Sequence, residues 1–185
     1  KNEGILTLEK NKKQGTQALI DNYNFSGEEL ANIESSNHRL LFVTPILKED
    51  LHISGLSKLN IKLASSKPAA NLSVWMVSLP WNKDKNAKIT DNIITRGWAD
   101  PQNYKSITES EPLEPGKFYE MSFDLIPDDQ VIPAGQQIGL MIFSSDNQFT
   151  LLPEPGTILT VDLDKTTIEI PVVGGKNVLI KAISN

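Results

Sequence analysis

Cysteine is absent from this chain of 185 residues. The chain therefore has no disulfide, no thiolate ligand for a metal and no cysteine nucleophile. A chain of this size without disulfides fits a reducing compartment, and we expect a cytoplasmic location. No apolar run is long enough to cross a bilayer, so we expect no membrane partner. The chain starts at Lys1 without a signal-peptide pattern or an initiator methionine, which we interpret as a fragment of a longer protein.

A sequence motif for nucleophilic catalysis is also missing. The nucleophile motif G-x-S-x-G is missing, and its nearest approach, Gly55 to Leu59, has leucine in place of the last glycine and leads into a strand pattern. The chain has two histidines. His38 lies in a polar run, and His52 alternates with apolar neighbours and should point away from them. We predict that the chain has no catalytic residue.

The charge balance excludes other function classes. Lys and Arg number 18 against 23 Asp and Glu, which gives a net charge of −5. An acidic surface repels phosphate backbones, so we expect no nucleic-acid partner. Asp162 and Asp164 share one face at a strand end and could contact calcium, but a glycine and a third acid are missing. We predict no metal and no cofactor, with structural calcium as an open alternative.

What the chain does contain is β-strand patterning from Leu40 onward. Ile138, Leu140 and Ile142 alternate with Met141 and Phe143, so both faces of that strand are apolar, as in the interior of a sheet. Pro and Gly, 11 of each, stand between the candidate strands. Those strands are predicted near 40–44, 51–54, 57–65, 71–79, 93–98, 117–125, 137–143, 157–163, 166–172 and 178–183. A short helix is predicted within 25–33 from its hydroxyl cap and early acids.

This pattern predicts an all-β fold, and the long loops 81–92 and 98–115 favour a jelly-roll β-sandwich. We predict one domain overall. Residues 1–36 form an N-terminal connector with a first strand that packs on or leads into the sandwich. Residues 37–185 form the sandwich itself.

Four motifs in fixed order resemble one family. They are Thr95-Arg96-Gly97, then Pro115-Gly116 opening a strand that ends in Asp124-Leu125-Ile126-Pro127, then Ala134-Gly135, then Ser144-Ser145-Asp146. The order resembles the C-terminal, non-catalytic domain of Xaa-Pro dipeptidyl-peptidases, which cocaine-esterase-like and α-amino-acid ester hydrolases share. One departure is Gln136-Gln137, where the family commonly has His-Arg.

The resemblance implies a galactose-binding-like jelly roll and a function without chemistry of its own. The catalytic triad would lie in a preceding α/β-hydrolase domain of a serine peptidase that releases N-terminal Xaa-Pro dipeptides. This chain would pack against that domain, and a homodimer is a further option. Alternatives are an accessory domain of a related esterase or acylase, a carbohydrate-binding module and an independent esterase.

Five residues are candidates for structural or interface roles. Arg96 is one of only two arginines, and its planar fork favours an ion pair with an acid such as Asp124 over direct contact with a ligand. Trp81, Trp98 and Tyr104 flank the long loops. We expect them to contact a neighbouring domain, because large aromatic residues anchor interfaces. A sugar platform is the alternative for the tryptophans.

Overall fold

The structure is a computed structural model that describes residues 3–153 and 155–184. Within these residues the chain forms twelve strands and two α-helices. The strands are β1 Glu3–Ile5, β2 Thr16–Ile20, β3 Arg39–Val43, β4 Leu51–Gly55, β5 Lys58–Ser65, β6 Leu72–Leu79, β7 Ile93–Ala99, β8 Phe118–Asp124, β9 Asp128–Ile132, β10 Gln137–Phe143, β11 Ile158–Asp162 and β12 Thr167–Glu169. The helices are α1 Gly27–Asn32 and α2 Lys176–Ile183.

The first sheet has the strand order β1-β3-β10-β6-β7. Its central strand β10 pairs antiparallel with β3 and with β6. Every residue from Ile138 to Phe143 is buried, which confirms the prediction that this strand lies inside a sheet. Strand β7 ends the sheet, so one side of its backbone has no strand partner within it.

The second sheet is built around β5. Strand β8 pairs along one side of β5, and β11 and β12 pair along the other. Strand β2 adds to the far side of β11. A separate two-stranded sheet joins β4 to β9. The first 36 residues therefore supply β1 to the first sheet and β2 to the second.

The main core lies between the two large sheets. Residues of β5 and β11 contribute inward side chains from the second sheet, and alternate residues of β6 and β10 contribute them from the first. Each sheet has an apolar face that must be buried, and packing the two faces against each other gives this two-layer arrangement. The all-β prediction is confirmed, and the jelly-roll connectivity stays a prediction. No helix in the described ranges is long and apolar enough to cross a membrane.

The outer face of the first sheet carries a second apolar cluster. Trp75, Met141, Phe143 and neighbouring side chains pack there beneath α1. The helix begins with a full capping box, in which the Ser26 hydroxyl accepts from the Glu29 backbone N–H and the Glu29 carboxylate accepts from the Ser26 N–H. The short helix predicted from this motif is confirmed. Only part of the outer face lies under α1.

The prediction of a final strand near 178–183 is wrong, because α2 occupies Lys176–Ile183. Leu179 and Ile183, four residues apart, face the main core together, and Ala182 is buried beside them. This spacing belongs to one helix face. Over six residues, apolar side chains at such intervals also fit the alternation of a strand.

We predict that Gly97→Ala lowers the free energy of unfolding by about 1–3 kcal/mol, as overpacking does. A methyl group at residue 97 would meet the Leu125 side chain at 2.5 Å and the Leu125 Cα atom at 3.2 Å. The backbone atom cannot move aside as a side-chain end can. Urea unfolding measures the change, with Ser122→Ala on exposed strand surface as control. A wild-type midpoint for Gly97→Ala would contradict this packing.

Candidate functional site

The Asp146 carboxylate lies at the centre of the most unusual side-chain cluster. Asp146 is fully buried, and its Oδ2 atom accepts hydrogen bonds from the indole N–H groups of Trp75 and Trp98, both at 3.1 Å. Its backbone oxygen accepts from the N–H groups of Phe149 and Thr150. One residue therefore orients two tryptophans and the turn that follows β10.

Arg96 lies among aromatic rings close to Asp146. Its guanidinium carbon is 5.4 Å from the Trp75 ring centroid, 5.7 Å from Trp98 and 4.7 Å from Phe149. Each ring face attracts a cation through its quadrupole. Strand register places Arg96 opposite Trp75, on the outer face of the first sheet. We call Trp75, Arg96, Trp98, Asp146 and Phe149 the aromatic–arginine cluster.

The predicted ion pair between Arg96 and Asp124 does not form. Asp124 is exposed at the end of β8, opposite Lys58 in the second sheet. Gly97 faces inward against Leu125, so strand alternation turns its neighbour Arg96 to the opposite face. Within residues 3–153 and 155–184, no carboxylate pairs with Arg96. Its charge is accommodated by ring faces instead of a carboxylate.

A cavity of about 470 Å³ opens beside this cluster. Trp75, Trp81 and Arg96 form part of its wall, and the loop after β6 supplies polar residues around it. Trp81 is half-buried and packs against the apolar cluster under α1. Three of the candidate residues predicted from the sequence, Trp81, Arg96 and Trp98, therefore lie on one face.

Tyr104 does not belong to this face. Its ring packs on Tyr119 of the second sheet at a centroid distance of 4.5 Å, and its hydroxyl donates to the Glu111 carboxylate at 3.2 Å. The side chain also packs against the main core. An interface role for Tyr104 together with the tryptophans would require a second contact surface.

Exposed apolar side chains extend the face beyond the cluster. Phe149 and Leu152 are each 50% exposed, and Leu151 is 89% exposed. They follow Asp146 in the turn that this residue organises. Large apolar side chains concentrated in one exposed turn mark an interaction surface more strongly than scattered ones.

Neither histidine forms part of a catalytic triad. His38 Nδ1 contacts the Ile20 carbonyl oxygen at 2.8 Å, and its ring stacks on Phe25. His52 Nε2 contacts Asp129 Oδ1 at 2.5 Å, on an exposed part of the β4–β9 sheet. A triad needs the imidazole between the carboxylate and a nucleophile. Here the carboxylate of Asp129 instead lies between His52 and Ser54.

The acids considered for calcium make other contacts. Asp162 Oδ2 lies 3.7 Å from Lys62 Nζ, and Asp162 Oδ1 accepts from the Asp164 backbone N–H. Asp164 Oδ1 accepts from the Gln14 N–H at 3.0 Å. In the described ranges, no group of three or more His, Cys, Asp or Glu residues is placed to hold a metal.

Asp146 and Phe149 are the residues that sequence reasoning missed. Asp146 was noticed only as the end of the Ser-Ser-Asp motif. The one hint in the sequence is its position three residues after the end of the fully apolar strand β10, and a polar group that is buried there needs partners. Which partners it has, however, depends on the pairing of β6 with β7 and β10. Two indoles separated by 23 positions meet there only after that pairing.

A two-layer β-sheet domain with an aromatic–arginine cluster on one outer face is the class that this fold and site define. Residues 2–180 match the family described as X-Pro dipeptidyl-peptidase C-terminal non-catalytic domain. The chain belongs to this family.

Similar proteins agree with that family. A Rhodopirellula baltica protein, provisionally named Xaa-Pro dipeptidyl-peptidase, is 62% identical over 160 residues, which cover 86% of this chain and 26% of that protein. A Bacillus cereus protein with the same provisional name is 40% identical over 133 residues, covering 72% of this chain and 22% of that protein. The chain thus spans about a quarter of the length of these relatives.

Among solved structures, an α-amino acid ester hydrolase labelled with selenomethionine superposes with a TM-score of 0.67 at 13% sequence identity. The superposition covers 88% of this chain and 33% of that structure. At this identity the likeness concerns the fold, and it supports the all-β assignment.

We predict that Asp146→Ala lowers the free energy of unfolding by about 1–3 kcal/mol or more, since the buried indole N–H of Trp75 loses its acceptor. Asp124→Ala is the matched control, because Asp124 is exposed and should change stability by no more than about 0.5 kcal/mol. Urea unfolding followed by tryptophan fluorescence measures both. Equal losses in the two variants would contradict the assigned role of Asp146.

We also predict that His52→Ala raises the pKa of Asp129. The hydrogen bond from His52, and then that from Ser54, holds the pKa of Asp129 below its ordinary value. A carboxyl group whose pKa is lower in the folded than in the unfolded protein stabilises the fold at pH values above its unfolded pKa. This contribution is lost as the pH falls through the folded pKa. Carbon-13 NMR titration of the carboxyl carbons measures the shift, with Asp124 as an internal reference. An unmoved Asp129 midpoint would refute the contact.

Proposed function

We propose that this chain is the C-terminal accessory domain of a larger Xaa-Pro dipeptidyl-peptidase, and that it packs against a preceding α/β-hydrolase domain that carries the serine chemistry. The observation that carries this proposal is the exposed surface around the aromatic–arginine cluster, which we call the aromatic–arginine face, in a domain in which neither histidine forms a catalytic triad. The family match and the quarter-length coverage of the relatives support it.

The docking surface in this proposal is the outer face of the first sheet beyond α1. Trp81 and Trp98 are only half-buried there, and Leu151 is almost wholly exposed. Tryptophan and arginine are the residues that most often dominate binding energy at protein interfaces. Asp146 fixes the orientation of Trp98 in advance, so little side-chain entropy is lost when a partner covers it.

The carbohydrate-binding alternative uses the same tryptophans but fits them less well. A sugar platform needs an open ring face. The Trp98 ring lies 5.0 Å from the Phe149 ring at a tilt of 31°, and Arg96 lies over it as well. Trp75 is 3% exposed and cannot serve. Trp81 alone remains, which is a small platform for specific sugar binding.

The remaining parts of the proposal concern partners and location. The parent is proposed as a serine peptidase rather than an esterase or acylase because the relatives carry the peptidase name. A cytoplasmic location fits a chain without cysteine. A homodimer through the same face is the second candidate for its occupant, and the net charge of −5 argues against nucleic acid.

We predict that the chain alone does not hydrolyse a Gly-Pro chromogenic substrate, whereas the full-length parent does. The physical reason is that neither histidine of the chain reaches a serine hydroxyl with a carboxylate behind the imidazole. Fluorophosphonate labelling followed by peptide mapping checks the same point independently. A labelled serine within residues 1–185, or turnover by the chain alone, would overturn the proposal.

A further inference from the structure

We infer that the cavity beside Arg96 is a receptor for a carboxylate side chain presented by the catalytic domain of the same polypeptide. This inference rests on the proposed function and names the chemistry of the contact. The occupant is an acidic residue flanked by apolar residues, in a segment outside residues 1–185.

The guanidinium of Arg96 is the first observation. Three ring faces surround it, but within residues 3–153 and 155–184 no group accepts a hydrogen bond from its N–H donors. Ring faces compensate the positive charge and leave the donors at the edge of the planar fork unused. Five such donors in a rigid plane match the two oxygens of a carboxylate.

The loop after β6 supplies more positive charge at the same cavity. Lys83, Lys85 and Lys88 line it and are exposed, and none of them forms an ion pair with a described residue. Only two acids, Glu28 and Asp84, join them in the lining. Four cations against two acids give a positive patch on a chain whose net charge is −5. Such a contrast steers and orients an anionic partner.

The receptor is also held in place before anything binds. Asp146 accepts from the indoles of Trp75 and Trp98, and these rings in turn confine Arg96. A guanidinium that is already held in place loses little conformational entropy when a carboxylate binds to it. The arrangement is that of a binding group rather than of a flexible surface arginine.

The apolar rim favours a protein segment over a small free anion. Ile89, which lines the cavity, is 61% exposed, and the half-exposed Phe149 ring lies 4.7 Å from the Arg96 guanidinium carbon. A small ion would neutralise the charge and leave these side chains in water. A segment with apolar residues beside its acid neutralises the charge and also covers the apolar side chains. About three quarters of each named relative lies outside the matched region, which is ample chain to supply it.

Zero-length carbodiimide cross-linking of the full-length protein tests the inference. The reagent joins a lysine ammonium to a carboxylate only when the two are in contact, and peptide mass spectrometry identifies both. We expect Lys83, Lys85 or Lys88 to be joined to an Asp or Glu outside residues 1–185. The internal pairs Lys105–Glu111 at 2.8 Å and Lys181–Glu49 at 2.7 Å are positive controls.

Arg96→Met is the matched variant, because it keeps an apolar side chain among the rings and removes charge and donors. We expect the cross-links from Lys83, Lys85 and Lys88 to be lost, while the two control pairs persist. If the control pairs also vanish, the variant has not folded, and the wild-type cross-link map decides alone. Persistence of the outside cross-links in a folded Arg96→Met protein would overturn the role of Arg96.

A second reagent separates this inference from the proposed function. A long-arm lysine–lysine cross-linker reports any packing of the chain on the rest of the protein. If it links other lysines to the outside while Lys83, Lys85 and Lys88 find no outside carboxylate, the carboxylate receptor is wrong and the docking stands. If neither reagent forms a cross-link to a residue outside 1–185, the carboxylate receptor and the proposed docking are both wrong. Cross-links from these lysines to a second copy of the protein, labelled with heavy isotopes, would instead show that this face forms a homodimer and would overturn the inference.

Discussion

The hydrogen bonds from two indoles to the buried Asp146 carboxylate determine the rest of the outer face. They join β6, β7 and the turn after β10 at one oxygen atom. A buried carboxylate is tolerated only when its acceptors are used, so these donors are a condition of its burial. Because the indoles are fixed, Arg96 has a defined place between rings, and Phe149 closes over it. Shape and charge at the candidate docking surface follow from that one contact.

The two faces of the first sheet therefore pack against different parts of the protein. The inner face closes the main core against the second sheet. Part of the outer face is covered by α1, and the rest exposes tryptophan, arginine and the apolar turn 149–152. A sheet apolar on both faces must be covered on both. In this domain the second covering is incomplete, which is the physical reason to expect a further domain there.

Sequence patterning predicted the parts of this structure that depend on local or strictly alternating signals. The burial of β10 and the capping box of α1 are examples, since each is set by neighbouring residues. Strand β9 and helix α2 were missed because each is short and is determined by its contacts. Two acids directly after Pro127 are typical of a turn, but pairing with β4 makes Asp128 and Asp129 part of a strand. The aromatic–arginine cluster depends on register between strands distant in sequence, so Arg96 was given an acid as partner instead of rings.

The central claim is that the rest of the parent protein covers the aromatic–arginine face. Hydroxyl-radical footprinting of the full-length protein tests it most directly, because Leu151 and Ile107 are matched in exposure at 89% and 91%. Leu151 lies on the proposed docking face, and Ile107 lies in the loop between β7 and β8. The account predicts strong protection of Leu151, Trp81 and Trp98 together with free oxidation of Ile107. Equal oxidation of Leu151 and Ile107 would contradict it.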